Sequence, residues 1–587
     1  MEAEELTQSP ASPIATATEA SLQEMDQAAA TGTSVAEAPS QVQGQVYYVS
    51  PSGNDSYPGT LSQPFRTINA GVDALGPGDT LYVRAGSYHE TLDIRVSGTA
   101  SERITIAAYP GERPFIDGQG SLPGDYRSYM VILRGDYLTL DGFEIGNLDG
   151  IGVGALGSYS IVRNCKVHHC QNKGILVSSG STCSEQTGTT GSIVEHNEVW
   201  MTSLVHQGIN EGGHWAGAIS VARCPLYTVV RNNVVHETWG LGIQAYEALH
   251  TTIEDNTVWN NQMSHYYVNN APYTLLQRNI SYNTADTMFL FKDHPGAAYV
   301  LADESPDPMS HHVTVINNLS YGSDTGFYFF YQQSGSGMKQ VLVAHNTFVN
   351  SLNSGLTIRE GDHQDSRIWN NIFYQDSLTA STPNDSELDF SHNFWSESPP
   401  AAASSPDDQI GNPLFTHLGS VGPGQFDPDW LMILSGSPAI DAGAVVPEVG
   451  QDFVGVARPT GATHDIGAYE SPFSGQVRDL RITGVSGSAP NLVVTLRWTA
   501  PLGAVTYTMR GNDTPVTADN WDSSAIIPVS ISPSAPGTVE QLTVPAYQVG
   551  DVLYIALRAQ LNDGTWSDVS NNAFWPQIPV YLPMVVG

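Results

Sequence analysis

The chain has 587 residues, enough for two or three domains, with 40% hydrophobic and 14% charged residues, 56 Gly and 36 Pro. That composition describes a turn-rich, strand-rich protein and argues against a helical bundle. Fifty-nine acidic residues stand against 23 basic ones, a net charge of −36; such a field disfavours nucleic acid and anionic membranes, both of which are held by basic patches. No run of about 18 apolar residues occurs, so membrane insertion is not expected.

Residues 1 to about 44 are rich in Ala, Ser, Thr, Gln and Glu and read as a disordered leader or linker. Their start, Met1-Glu-Ala-Glu-Glu-Leu, lacks the basic and apolar regions of a signal peptide. Folding is expected from Gln45-Val-Tyr-Tyr-Val-Ser, a strand that runs into turn residues. Phe65 to Leu75 carries apolar residues at helical spacing before Gly76-Pro-Gly, and reads as a short helix capping the end of a solenoid core. Alternating strands follow at Asp79-Thr-Leu-Tyr-Val-Arg, Ile104-Thr-Ile-Ala-Ala-Tyr and Tyr137-Leu-Thr-Leu-Asp-Gly.

From about residue 160 a repeat sets in: an apolar pair, up to two residues, Asn, a variable residue, then an apolar or small one. Its key position is filled by Cys165, Asn197, Asn233, Asn256, Asn279, Asn318, Asn346, Asn371 and Asn393, at spacings of 32, 36, 23, 23, 39, 28, 25 and 22 residues. The short spacings define one coil of a solenoid and the long ones coils with inserted loops. An Asn recurring once per coil beside inward apolar residues predicts a ladder of stacked amides.

This pattern resembles the pectate-lyase-like right-handed parallel β-helix family, and Tyr47 to Gly118 is similar to the amino-terminal part of its secreted bacterial members. Ala457-Arg-Pro-Thr-Gly-Ala-Thr-His-Asp-Ile-Gly-Ala-Tyr-Glu resembles the segment that often closes such helices. The resemblance covers about residues 45–472 and implies an all-β solenoid and an extracellular, secreted or cell-surface location; it is specific for fold rather than reaction. Beyond Pro472, alternating segments such as Leu492-Val-Val-Thr-Leu-Arg-Trp and Val552-Leu-Tyr-Ile-Ala-Leu-Arg resemble a fibronectin type III β-sandwich over 473–577, followed by a short apolar tail at 578–587.

In a β-helix, alternate strand residues face the core and those between them form outward columns. With Ile175, Ile219, Ile243, Tyr266, Phe327 and Leu356 inward, one column reads Leu176, Ser220, Gln244, Tyr267, Tyr328, Thr357 and a second reads Ser178, Ala222, Tyr246, Asn269, Phe330, Arg359. Two stretched coils add loops beside these columns, around Val205 to Trp215 and Met288 to Gly296; Tyr299-Val-Leu, rather than Phe289-Leu-Phe, is the expected sheet strand of the second. The resulting groove has an expected wall of Glu211, His214, Trp215, Trp239, Lys292, Asp293 and His294. Its expected floor holds Tyr246, His265, Tyr267, Asn269, Tyr328 and Arg359, with Gln244 in the neighbouring column. Glu247, Asp303, Glu304 and Glu360 are expected at its far edge.

Aromatic faces beside ionisable groups suit a polysaccharide or oligosaccharide. For a lyase, Lys292, His265, His294 or Tyr267 is the candidate base and Arg359 the partner of a uronate carboxylate. For a glycoside hydrolase, Glu247, Asp303, Glu304 and Glu360 are the candidate carboxyls. A non-catalytic adhesion or glycan-binding solenoid is the competing class. Asp303 and Asp307, in an acidic run, are candidate Ca²⁺ ligands, and no cofactor is otherwise expected. Cys183 and Cys224, just beyond equivalent strands of adjacent coils, are expected to pair, whereas Cys165 and Cys170 are expected to be small buried residues. The protein is expected to be a monomer.

Overall fold

A computed structural model describes residues 44–576 apart from 180–187, 210–214, 307, 384–386, 435, 472–476, 478, 487–492, 502, 513, 528–530, 535–537, 546–551, 563 and 571. The expected leader before Gly44 and the expected tail lie outside the described residues, as do Glu211, His214, Asp307 and Cys183. Among the described residues, three parallel sheets of 13, 11 and 13 strands run the length of a solenoid, each strand bonded to its equivalents one coil before and after. Right-handed crossovers join parallel strands of this kind. Val, Ile, Leu and Phe side chains fill one continuous core from Val49 to Trp395.

The ladder holds this stack in register. The backbone N–H of each key residue from Cys165 to Asn371 donates to the side-chain Oδ1 of the Asn one coil further on, at 2.9–3.1 Å. Each amide nitrogen from Asn197 to Asn371 in turn donates to the next amide oxygen and back to a carbonyl of the preceding coil, as in Asn279 Nδ2 to Asn318 Oδ1 at 3.0 Å and to Ile253 O at 2.8 Å. The ladder ends on an acid: Asn393 N donates to Asp408 Oδ1, and Trp395 Nε1 to Asp408 Oδ2. The residue before every key position has a φ of 53° to 56°, from Asn164 to His392. Non-Gly residues in this left-handed region are strained, and Asn, Asp and His, which tolerate it best, fill eight of these nine positions, Arg278 being the ninth.

At the amino-terminal end a helix, Ile68–Asp73, capped by Thr67, lays Ile68 and Val72 over the open core. At the other end, residues 413–471 wrap the outer face of one 13-stranded sheet, burying Phe415, Leu431, Ile433 and Tyr469 against Tyr282, Tyr321 and Ile372. The Ala457–Glu470 segment clasps the ladder turn: Arg458 and Glu470 form a fully buried ion pair of 2.8 Å, and Arg458 Nη2 donates to Asn317 Oδ1. After residue 476 come two antiparallel sheets, of three and four strands, around Trp498, Met509 and Leu557. Arg481 and Arg497 tie this unit to Asp429 and Asp427 of the wrap. No described helix is long and apolar enough to cross a membrane.

Replacing Asn279 by Ala removes an amide that bonds to the coils on both sides and strands their buried partners; a loss of about 3 kcal/mol in unfolding free energy, read from urea titration, is expected. Asp376, packed beneath the groove sheet, keeps its proton because burial pushes its carboxyl up to about 8, the Ser351 N–H offsetting only part of that. The unfolded chain releases this proton near 3.8. Between those values the folded state therefore holds more protons, and stability falls as pH rises through the window. Asp376→Asn should melt progressively higher than the parent between pH 5 and pH 9, the gap widening with pH in a thermal-melt series.

Candidate functional site

The 11-stranded sheet carries the groove. Its central strands are Gly217–Ala222, Leu241–Tyr246, Tyr266–Asn269, Tyr299–Asp303, Thr325–Tyr331 and Ser354–Ile358. Their register places Ser220, Gln244, Tyr267, Val300, Tyr328 and Thr357 in one outward column, and Ala222, Tyr246, Asn269, Ala302 and Phe330 in the next. Arg359 follows Ile358 and continues the second column, its N–H donating to Phe329 O. Tyr299–Asp303 is the sheet strand of its coil, and the preceding segment folds into a hairpin turn, Phe291 to His294, with Lys292 and Asp293 at φ 51° and 68°.

One wall is aromatic. The Trp215 ring meets Phe291 edge-on at 5.5 Å and lies 4.7 Å from His206. Behind them Trp239 packs on Phe289 at 5.0 Å and is only 5% exposed, so it braces the wall rather than offering a face to a ligand. Lys292 stands exposed at the tip, with its ammonium 5.2 Å from the Phe291 ring. His294 is exposed and held by Asp324 at 2.9 Å.

On the floor, Tyr267, Val300 and Ala302 form an apolar patch with Trp215, Tyr328 and Phe330 packed against it. Tyr267 and Tyr328 do not stack on each other, because Val300 separates them; Tyr328 stacks on Phe330 at 5.3 Å instead. The Arg359 guanidinium lies 5.5 Å from the Tyr328 ring centre and 5.7 Å from that of Phe330. With Tyr331, Thr357, Glu360, Ser381 and Thr382 it lines an open cavity of about 690 Å³.

Along the far edge the polar groups converge on Glu304. Asn269 Nδ2 donates to Glu304 Oε2 at 2.6 Å and Gln332 Nε2 to Oε1 at 2.7 Å, while the Glu304 N–H donates to both Asn269 Oδ1 and Asn270 Oδ1. Burial raises the Tyr267 phenol well above its ordinary range, and Glu304 beside it raises it further. Tyr267 is therefore a proton donor at neutral pH. Tyr246 is raised by burial and by Glu247, against a hydrogen bond from Ser305. Glu247 and Glu360 close the edge at the ends of the neighbouring strands.

Three expectations are corrected. His265 is not on the floor: it is fully buried beneath the sheet, Nδ1 2.7 Å from Ser281 Oγ, and burial pushes its pKa down to about 3. Asp303 does not line the groove's far edge: it points inward, accepts the Ser310 N–H at 2.7 Å, and burial raises its carboxyl to about 6. Gln244, 8% exposed, spends its amide oxygen on the Ser220 hydroxyl at 3.2 Å and offers little to a ligand. No three described His, Cys, Asp or Glu residues converge as metal ligands. Cys224 is disulfide-bonded, and Cys165 and Cys170 are free and buried.

The second column extended by one more period of two would have found Gln332, which follows Thr325–Tyr331 as Glu304 follows Tyr299–Asp303. Arg223, exposed one residue past Gly217–Ala222, lies off that column. Lys173 carries no such signal. It precedes the strand Ile175–Val177, and burial together with nearby Arg223 lowers its ammonium to about 8.

Residues 47–200 match a family model described as a Pel9A-like right handed beta helix region, and residues 213–373 a second described as a right handed beta helix region. The chain is 26% identical over 350 residues to the uncharacterized protein YwoF of Bacillus subtilis, covering 57% of this chain and 69% of that one. It is 44% identical over 79 residues to pectate lyase PEL9 of Emericella nidulans, 13% of this chain and 19% of that one. With pectate lyase L of Dickeya dadantii it shares 27% identity over 149 residues, 24% of this chain and 35% of the lyase. Among solved structures, pectate lyase Pel9A is matched at 18% identity with a TM-score of 0.46, over 73% of this chain and 96% of that one.

Proposed function

We propose that this chain is an extracellular polysaccharide lyase that binds a uronate-containing glycan along the groove of the 11-stranded sheet. One observation carries the reading: a guanidinium laid on two aromatic rings, with no carboxylate paired to it among the described residues, on the same outward face as a tyrosine and glutamate that share a hydrogen bond three and two strands away. In a protein so acidic most other arginines are neutralised; Arg84, Arg134, Arg163, Arg231, Arg278 and Arg367 all pair with carboxylates. The similarity to pectate lyases supports the same reading.

In this reaction Arg359 pairs with the uronate carboxylate and stabilises the charge that develops when the neighbouring carbon loses its proton. Glu304, held by Asn269 and Gln332, accepts that proton. Tyr267, protonated at neutral pH, gives its own to the departing glycosidic oxygen as the carbon–oxygen bond breaks and the double bond forms. Glu304 then returns its proton to the adjacent phenolate, so the cycle closes without water. Tyr328, Phe330 and Trp215 supply stacking faces for the sugars. The carboxy-terminal unit, with its sheets of three and four strands, is read as a fibronectin type III-like spacer or attachment module, and the protein as a monomer.

Incubation with a panel of plant, algal and animal glycans should release products with the ultraviolet absorbance of unsaturated uronates. New reducing ends without that absorbance would make the enzyme a hydrolase, and binding without either product a lectin-like solenoid. Tyr267→Phe should lower kcat by about 100-fold while leaving the circular dichroism spectrum unchanged, as loss of a positioned acid does. Arg359→Lys keeps the charge but loses the planar fork and the stacking, and a drop in kcat/KM on the order of tenfold is expected.

A further inference from the structure

Glu304 stands in an insertion. Leu275 follows Asn269 by six residues, whereas their register partners one coil on, Ala302 and Thr314, are twelve apart. The extra backbone has no strand to pair with, so its N–H and C=O groups need other partners. A single side chain supplies four of them. Asn270 Oδ1 accepts the N–H of Glu304 and that of Ser305, both at 2.9 Å, and Asn270 Nδ2 donates to Ser305 O at 2.6 Å and to Pro308 O at 2.7 Å. Two donors and two lone pairs are the whole capacity of a primary amide, and Asn270 is fully buried while using them. Its φ of 52° lies in the left-handed region, which Asn tolerates better than most residues. In the preceding coil, which also spends six residues on this course, the same left-handed position is Glu247. The amide thus appears where the neighbouring turn carries the insertion.

The rest of the insertion is closed around the same point. At its base Asp303 accepts the Ser310 N–H at 2.7 Å, and Ser310 Oγ donates to Ala302 O and accepts the Ala271 N–H, both at 3.2 Å. From the following coil Gln333 Nε2 donates to Glu304 O at 2.8 Å. The two neighbouring asparagines divide the work: Asn269 bonds to the Glu304 carboxylate and Asn270 to the backbone from which it projects. We propose that Asn270 is a positioning residue for Glu304, acting on the reaction only through the placement of that carboxylate. The inference rests on the lyase reading, in which Glu304 accepts the proton. A base must lie within hydrogen-bond reach of the proton it removes, and a displacement on the order of 1 Å costs about 100-fold in rate. An Asp at position 270 would keep the two acceptor bonds but turn its second oxygen toward the carbonyls of Ser305 and Pro308, and an Ala would leave all four backbone groups without the amide.

The test is a double-mutant cycle in the full chain, with Asn270→Ala, Glu304→Gln and the two together, assayed by ultraviolet absorbance on the uronate polymer that the parent cleaves fastest. Asn270→Ala should lower kcat by about 100-fold and change KM by less than about threefold. Glu304→Gln should lower kcat by about 1000-fold, and adding Asn270→Ala to it should cost no more than about threefold further, because a residue that acts through Glu304 has nothing left to position. Losses that multiply, or a kcat unchanged in Asn270→Ala, would overturn the inference. Hydrogen exchange read by mass spectrometry gives a second measure: the amides of Glu304 and Ser305 should exchange at least about tenfold faster in Asn270→Ala than in the parent, and unchanged exchange would overturn the inference as well. Absence of unsaturated product from the parent on every polymer would overturn the lyase reading, and with it the catalytic role of Asn270, while the exchange rates still decide whether the amide holds the turn. If Asn270→Ala does not fold, Asn270→Asp, nearly identical in shape, takes its place in the cycle, with a loss of about tenfold in kcat and the same lack of additivity expected.

Discussion

The hydrogen bond from one coil's backbone N–H to the next coil's asparagine Oδ1 is the interaction on which the rest of this structure depends. A parallel sheet by itself allows slippage, because every strand presents the same alternating pattern and a shift of one residue exchanges the inner and outer faces. The amide stack removes that freedom, since each turn carries a buried donor and acceptor that are satisfied in one register only. It also holds the left-handed residue before each Asn, whose local strain is offset by the bonds the turn then makes. Asp408 ends the series in a shape close to that of Asn, with two oxygens that accept from the last coil.

With the register fixed on one side of the solenoid, the groove on another side follows. The outward columns line up to the residue, so that Tyr267, Tyr328 and Thr357 share a face although about ninety positions separate the first from the last. The two stretched coils lengthen ahead of this sheet and raise an aromatic wall, while the turns after its strands form the opposite, charged edge. Core and site thus have different physical origins: the core from apolar burial common to every coil, the site from the few coils whose outward residues and loops depart from the pattern.

Burial decides which polar residues of the site remain available. His265 and Glu304 lie only one coil apart, yet one is a neutral imidazole sealed below the sheet and the other a carboxylate at its rim, approached by two amides and a phenol. Tyr267, mostly buried but adjoining that carboxylate, keeps its proton through the neutral range. The protein's strongly acidic surface makes Arg359, which forms no ion pair among the described residues, conspicuous on the groove.

The sequence by itself determined the ladder, because Asn recurs at coil spacing, and it determined the two outward columns and the strand Tyr299-Val-Leu, because a period of two and a fixed distance to the next Asn leave one solution. It also supplied Tyr267, Asn269, Glu304, Tyr328 and Arg359 as neighbours. Only the tertiary structure decided where a strand's alternation stops. Asp303 is the last inward residue of its strand, and the N–H of Glu304 beyond it is held at the sheet edge by the amide oxygens of Asn269 and Asn270. It likewise buried His265 and Trp239, whose side chains are polar or half-polar and carry no periodic mark of their own. The pairing of Gln332 with Glu304 depends on side-chain reach between coils, which one-dimensional spacing does not encode.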